Sequence, residues 1–201
     1  MIKAIILDMG GVILNLDKDI CVRNFKEKAG FECIEDFMDI YHQKGFISDF
    51  EEGKIDEAGF YDECRKYCPE GTSDEVLEYC FQSLLTNAKE DVIRQIRELS
   101  TRFDFYVLTN NNPVCTRRFF EILEENGVRD CFKEIFCSYK LKLLKPGAEI
   151  FNVVLEKIGC KPGEALFIDD AIRNVEGARK VGINAELYCD GLEIGNLPVL
   201  N

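Results

Sequence analysis

Apolar residues along this chain follow two rhythms, and the alternation between them predicts the fold. Unbroken runs at Ile2–Leu7, Phe105–Leu108, Ile135–Cys137 and Ala165–Ile168 have the length and the β-branched or aromatic content of strands buried on both faces, and Ala185–Tyr188 is a weaker fifth. Between them apolar positions recur at helical intervals over Asp91–Leu99, Pro113–Glu125, Ala148–Ile158 and Ala171–Val181. Pro113 suits a first helical turn, and Gly127, Gly159 and Gly182 fall just past three helix ends, where glycine makes a cheap left-handed cap. Strands alternating with helices imply crossover connections, so the expected fold class is α/β with a parallel sheet at its core.

Residues 17–90 break that alternation. No strand run is expected there, while Phe25, Phe37, Ile40, Tyr41, Phe60, Tyr67, Leu77 and Phe81 recur at helical spacing. The pattern predicts a helical subdomain inserted after the first strand, with Pro69, Gly71 and Ser73 marking a turn and Ser73 placed as an N-cap.

Composition sharpens this division. The 201 residues carry 37 Asp and Glu against 25 Lys and Arg, a net charge of -12 that disfavours binding to a phosphate backbone. Residues 17–91 hold 20 of the acids and only 9 of the bases, so nearly the whole excess belongs to the predicted insert. An anionic ligand would be repelled at long range, and its site would need local positive charge. The early apolar run stops at Asp8 and lacks the basic flank of a signal peptide, so no membrane association and a cytoplasmic location are expected. The ten cysteines then read as reduced, mostly buried small hydrophobes rather than a disulfide framework, and their spacing fits no common zinc class. His42 is the single histidine, which removes the usual base of a nucleophile triad.

Chemistry is expected where three strand runs end in polar residues: Asp8, Thr109-Asn110 and Asp169-Asp170. Carboxyl ends of parallel strands share one rim, so these distant positions can converge. Acidic strand ends facing each other repel unless a cation joins them, and an all-oxygen donor set suits Mg²⁺. Such a cation would let a phosphate dianion approach the Asp8 carboxylate, making Asp8 a candidate nucleophile. Gly10 and Gly11 leave backbone N–H groups able to meet phosphate oxygens, Thr109 and Asn110 add donors, and Lys145, before Pro146, is the best-placed cation.

The segments DMGGV at 8–12, LTNNN at 108–112, LKPGAEIF at 144–151 and FIDDAIRNVEGA at 167–178 resemble, in order and context, the four motifs of the haloacid dehalogenase-like hydrolase superfamily. The resemblance implies a Rossmann-like catalytic core at 1–16 and 91–201, with 17–90 a helical cap of the C1 type. The stretch Glu51-Glu52-Gly53-Lys54-Ile55 followed by Phe60 resembles cap sequences of bacterial α-D-glucose-1-phosphate phosphatases and of the soluble epoxide hydrolase phosphatase domain. By resemblance, Asp8 would be nucleophile and metal ligand, the Gly10 carbonyl a second ligand, and Asp170 a direct carboxylate ligand with Asp169 nearby or acting through water. Met9, Gly10, Thr109, Asn110 and Lys145 would hold the phosphoryl group, with Lys145 also orienting Asp8, and Asn174 would support the loop. The implied activity is magnesium-dependent hydrolysis of a small phosphorylated metabolite, such as a sugar phosphate, through an aspartyl-phosphate. Two alternatives are a catalytically weak phosphate- and magnesium-binding regulatory protein and, less favoured, a metal-free dehalogenase.

Gly10 departs from the family pattern. Most family phosphatases carry a second Asp there, which protonates the leaving group and then activates water. Loss of such a group typically costs about 10²–10⁴-fold, less for a leaving group of low pKa. The sequence identifies no replacement.

Overall fold

The computed structural model describes residues 1–38 and 43–200 of the chain; Ile40, Tyr41 and His42 lie outside the described residues. In chain order the elements are β1 (Ala4–Leu7), β2 (Leu14–Leu16), α1 (Lys18–Ala29), α2 (Gly45–Glu51), α3 (Glu57–Arg65), α4 (Asp74–Gln82), β3 (Leu85–Ala88), α5 (Glu90–Leu99), β4 (Asp104–Thr109), α6 (Pro113–Glu125), β5 (Phe132–Cys137), α7 (Ser138–Leu141), α8 (Ala148–Ile158), β6 (Ala165–Asp169), α9 (Ile172–Lys180) and β7 (Asn184–Leu187). All five expected strand runs form one sheet in the order β5-β4-β1-β6-β7. Every pairing in it is parallel.

The unbroken apolar runs follow from burial on both faces. Ile5, Leu7, Phe105, Val107, Leu166 and Ile168 point into one core cluster, while Ile6, Leu108, Phe136 and Phe167 point into a second with Ile150, Phe151, Val154 and Val175 from α8 and α9. Leu7 pairs with both Val107 and Ile168, so the ends of β1, β4 and β6 reach the same rim together.

One correction concerns the acidic window, where a strand does occur. Leu85–Ala88 pairs antiparallel with Leu14–Leu16, making a two-stranded ribbon at which the chain leaves the sheet region and returns to it. With β2 only three residues long and β3 only four, neither run carried enough alternation to stand out as a strand. Between them α1–α4 pack through an aromatic cluster: Phe60 stacks on Phe50 at 4.4 Å and on Phe81 at 5.2 Å, and Phe31 stacks on Tyr67 at 4.9 Å. Aromatic pairs of this kind add about 0.5–1.5 kcal/mol each beyond their area burial. Ser73 occupies the N-cap of α4, though its hydroxyl makes no capping hydrogen bond. The ten thiols are all free; Cys21, Cys64, Cys80, Cys115 and Cys137 are buried, whereas Cys33 and Cys189 are exposed. Among the described residues, no helix is long and apolar enough to cross a membrane.

Candidate active site

Asp8 follows the last residue of β1, and its backbone N–H donates to the Ile168 carbonyl at 2.9 Å, which continues the β1–β6 ladder onto the rim. Its side chain is only 13% exposed. The Oδ1 atom accepts from the Met9 backbone N–H at 2.7 Å and from Lys145 Nζ at 2.8 Å.

Lys145 sits at the centre of the site and is 3% exposed. Its three ammonium donors reach Asp8 at 2.8 Å, Asp169 Oδ2 at 2.6 Å and the Leu108 carbonyl at 2.9 Å. Burial alone would pull this ammonium down, but Asp169 and Asp8 outweigh it and hold it above its ordinary value, so Lys145 stays charged. The backbone of Lys145 is clamped as well: its N–H donates to Asn110 Oδ1 at 2.9 Å, and Asn110 Nδ2 donates to its carbonyl at 3.0 Å. The Asn110 amide thus uses its oxygen and one N–H to fix Lys145, which leaves its second amide hydrogen and its backbone N–H as donors to a ligand.

Asp169 is fully buried and saturated. Besides Lys145 it accepts from the Ala171 N–H at 2.8 Å and from Asn174 Nδ2 at 3.0 and 3.1 Å. Asp169 therefore anchors Lys145, and Asn174 anchors Asp169. Thr109 is buried at the end of β4 beside them.

Carboxylate oxygens of Asp8, Asp169 and Asp170 lie within 4.8 Å of one another. Three carboxylates against one ammonium leave an excess of two negative charges, which matches a divalent cation. Asp8 and Asp170 supply hard oxygen donors for Mg²⁺, and Gly10 lines the same cavity, whereas the oxygens of Asp169 are already filled. Burial, opposed by Lys145 and reinforced by Asp169 and Asp170, pushes the Asp8 carboxyl up to about 7. Asp170 is raised by burial and by the Asp169 charge, against Lys145 and Lys89.

Gly11 has φ +76°, and a Cβ there would meet Asp170 Oδ2 at 2.1 Å. Gly11→Ala should therefore cost at least about 1–2 kcal/mol through left-handed strain alone and displace Asp170 in addition. Chemical denaturation and a magnesium titration would check both effects; unchanged metal affinity would contradict the placement of Asp170. At Gly10 the space for a side chain is taken by Leu16, whose Cδ1 lies 2.9 Å from an added Cβ.

These groups line a cavity of about 360 Å³ that also takes in the apolar Leu16, Met38, Phe81, Leu84 and Leu85 and the charged Asp17, Lys18 and Asp19. Glu51, from the end of α2, faces into it and was not singled out as a site residue from sequence. Burial, reinforced by the Asp8 charge and opposed by Arg173 and Lys145, pushes its carboxyl up to about 8. Ser138 and Asn111 were missed too. The Asn111 N–H donates to Ser138 Oγ at 2.9 Å, and Ser138 Oγ donates to the Glu51 carbonyl at 2.5 Å. Arg173, on the first turn of α9, has its Nε buried without a hydrogen-bond partner among the described residues.

Comparison with known proteins places the chain in a family. The family model described as haloacid dehalogenase-like hydrolase matches residues 2–182. D-ribitol-5-phosphate phosphatase of Bacteroides thetaiotaomicron is 29% identical over 187 residues, covering 90% of this chain and 89% of that protein. Sesquiterpene phosphatase astK of Aspergillus oryzae is 26% identical over 188 residues, covering 90% of this chain and 87% of that one. Among solved structures, a HAD family enzyme from Bacteroides thetaiotaomicron in complex with magnesium and inorganic phosphate matches with a TM-score of 0.85 at 29% identity, covering 96% of this chain and 98% of the other.

Proposed function

The chain belongs to the haloacid dehalogenase-like hydrolases, and from that premise we propose that it is a magnesium-dependent phosphomonoesterase that works through an aspartyl-phosphate on Asp8. The observation that carries this reading is the Asp8 carboxylate, pinned through Oδ1 to Lys145 and the Met9 N–H and set within 4.8 Å of Asp169 and Asp170.

In this reading Asp8 attacks phosphorus and the ester P–O bond breaks; water then attacks the aspartyl-phosphate, freeing inorganic phosphate and Asp8. Lys145 holds the nucleophile and offsets negative charge as it develops. Thr109, the backbone N–H groups of Gly10 and Asn110, and that of Met9 once released from Asp8, hold the phosphoryl oxygens. Held by Asp8, the Gly10 carbonyl and Asp170, magnesium would supply the positive charge that lets a dianion approach. Residues 17–90 act as a cap over a core of 1–16 and 91–201, excluding water and choosing the substrate.

The substrate we expect is a small phosphorylated metabolite such as a sugar phosphate, with its C–H faces against Leu16, Met38 and Phe81. A phosphate-release panel with magnesium should include polyol, sugar and isoprenoid phosphates, followed by EDTA. Turnover lost to EDTA and restored by magnesium supports the reading; metal binding without turnover of any ester would contradict it.

The raised Asp8 carboxyl gives a thermodynamic test. Its folded value of about 7 lies above the unfolded 3.8, so the native state holds a proton that the unfolded chain releases. Its contribution to stability is therefore greatest below about pH 4 and is lost as pH rises through about 7. Magnesium binds the deprotonated form, so its increment in Tm should be larger at pH 8 than at pH 6. An equal increment at both would contradict Asp8 as a ligand.

A further inference from the structure

Gly10 leaves the site without the acid–base group a phosphomonoesterase needs, and the insert brings Asp17, Asp19 and Glu51 to the same cavity; Asp17 Oδ1 accepts from the Ile20 N–H at 2.8 Å as the cap of α1, and Glu51 is near enough to Asp8 for the two charges to interact. It closes α2 directly after Phe46, Ile47 and Phe50, which are buried, so its carboxyl emerges from an apolar base into the cavity that Asp8 lines. Two features fix the end of α2 against the core. Ser138 Oγ holds the Glu51 carbonyl at 2.5 Å, and Gly53, at φ +70°, passes so close to Tyr139 that a Cβ would lie 2.3 Å from its carbonyl oxygen. The backbone that carries the side chain is therefore fixed against the core.

We propose that Glu51 is the acid–base residue of this enzyme, delivered by the helical insert in place of the absent side chain at position 10. This rests on the phosphomonoesterase reading. As Asp8 forms its bond to phosphorus and the ester bond breaks, the leaving oxygen takes the Glu51 proton. Glu51, now a carboxylate, takes a proton from water as that water bonds to phosphorus and the Asp8–phosphorus bond breaks. One ester and one water become one alcohol and one inorganic phosphate, with Glu51 protonated again.

The surroundings suit a group that is neutral when substrate arrives. Asp8 faces it from β1, Lys145 from the loop before α8, Arg173 from α9 and the Cys115 thiol from α6. Burial and the Asp8 charge outweigh the two cations and push the Glu51 carboxyl upward, toward the neutral acid. A neutral acid also avoids adding a further negative charge beside a phosphoryl dianion.

The test compares wild type with Glu51→Gln on aryl phosphates whose leaving groups span pKa values of about 5 to 10, plus an alkyl phosphate, with magnesium. The kcat/KM of the variant should fall by about 10²-fold or more for the alkyl ester and stay within about threefold for the most acidic phenol, because only poor leaving groups need the proton. With that phenol ester kcat should fall and a burst of one product per enzyme should appear, since hydrolysis of the aspartyl-phosphate has lost its base. Glu51→Asp should show the same pattern in smaller measure, and it serves if Glu51→Gln fails to fold. A uniform fall across the series, no fall anywhere, or no burst would overturn the assignment of Glu51 while leaving the phosphatase intact. A wild type inert toward every ester would overturn both.

Discussion

Replacing Asp8 with Asn is expected to reduce turnover of an activated aryl phosphate to background, a loss on the order of 10⁵-fold or more, as removal of other enzymic nucleophiles does. The variant should nevertheless fold. Asn is a neutral isostere, and the native site already disfavours the Asp8 charge, holding its carboxyl up at about 7. Lys145 keeps Asp169 at 2.6 Å and the Leu108 carbonyl at 2.9 Å without it. In the absence of magnesium the Tm of Asp8→Asn at pH 8 should match or exceed that of wild type, because a crowded carboxylate has been removed. Activity within about tenfold of wild type would sink the nucleophile assignment, since a bystander carboxylate costs far less than a nucleophile. Mass spectrometry of acid-quenched wild type during turnover offers a direct check, with a phosphoryl adduct expected on the peptide containing Asp8 and absent from the variant.

Most of the candidate rim was legible because it sits at strand ends, where unbroken apolar runs stop at a polar residue. Asp8, Thr109 and Asp169 each close or follow such a run, and the parallel sheet brings them together as that topology requires. Side-chain roles were harder to assign. Asn110 reads from sequence as a phosphate donor, and its amide has the further task of clamping the Lys145 backbone. Asp169 reads as a carboxylate near the metal or acting through water, and which contacts it makes, to Lys145, Ala171 and Asn174, is not legible from the pattern. Whether a carboxylate meets a metal or a lysine depends on distances of an ångström, and no residue pattern encodes those.

Glu51 was harder still. Its neighbours along the chain read as an ordinary helix end, and its chemistry comes from facing Asp8 across the cavity. Its backbone there is held by Ser138, 87 residues further along the chain. The one signal available was compositional: a carboxylate directly after Phe46, Ile47 and Phe50 stands where burial raises its pKa. The vacancy at Gly10 told what was missing without telling where to look.

Lys145→Met should be the most damaging substitution for stability. Removing the ammonium leaves Asp8 and fully buried Asp169 without their shared counter-charge and the Leu108 carbonyl without its Lys145 donor, and breaking a buried pair in this way costs about 3–5 kcal/mol. Lys145→Arg should recover little, because three acceptors at 2.6–2.9 Å converge on one ammonium and a planar guanidinium cannot meet them from the same point. The stability and catalytic losses can be separated by a double substitution. Asp169→Asn removes the stranded charge while its side-chain oxygen can still accept from the Ala171 N–H and from Asn174. Lys145→Met with Asp169→Asn should therefore recover a large part of the stability in urea denaturation, since loss of both partners is far less costly than loss of one. Turnover should remain as low as in Lys145→Met alone, because Asp8 has lost the cation that orients it and offsets phosphoryl charge. Additive stability losses would mean that the two side chains do not act as a pair. Activity returning together with stability would mean that Lys145 serves the fold and not the reaction.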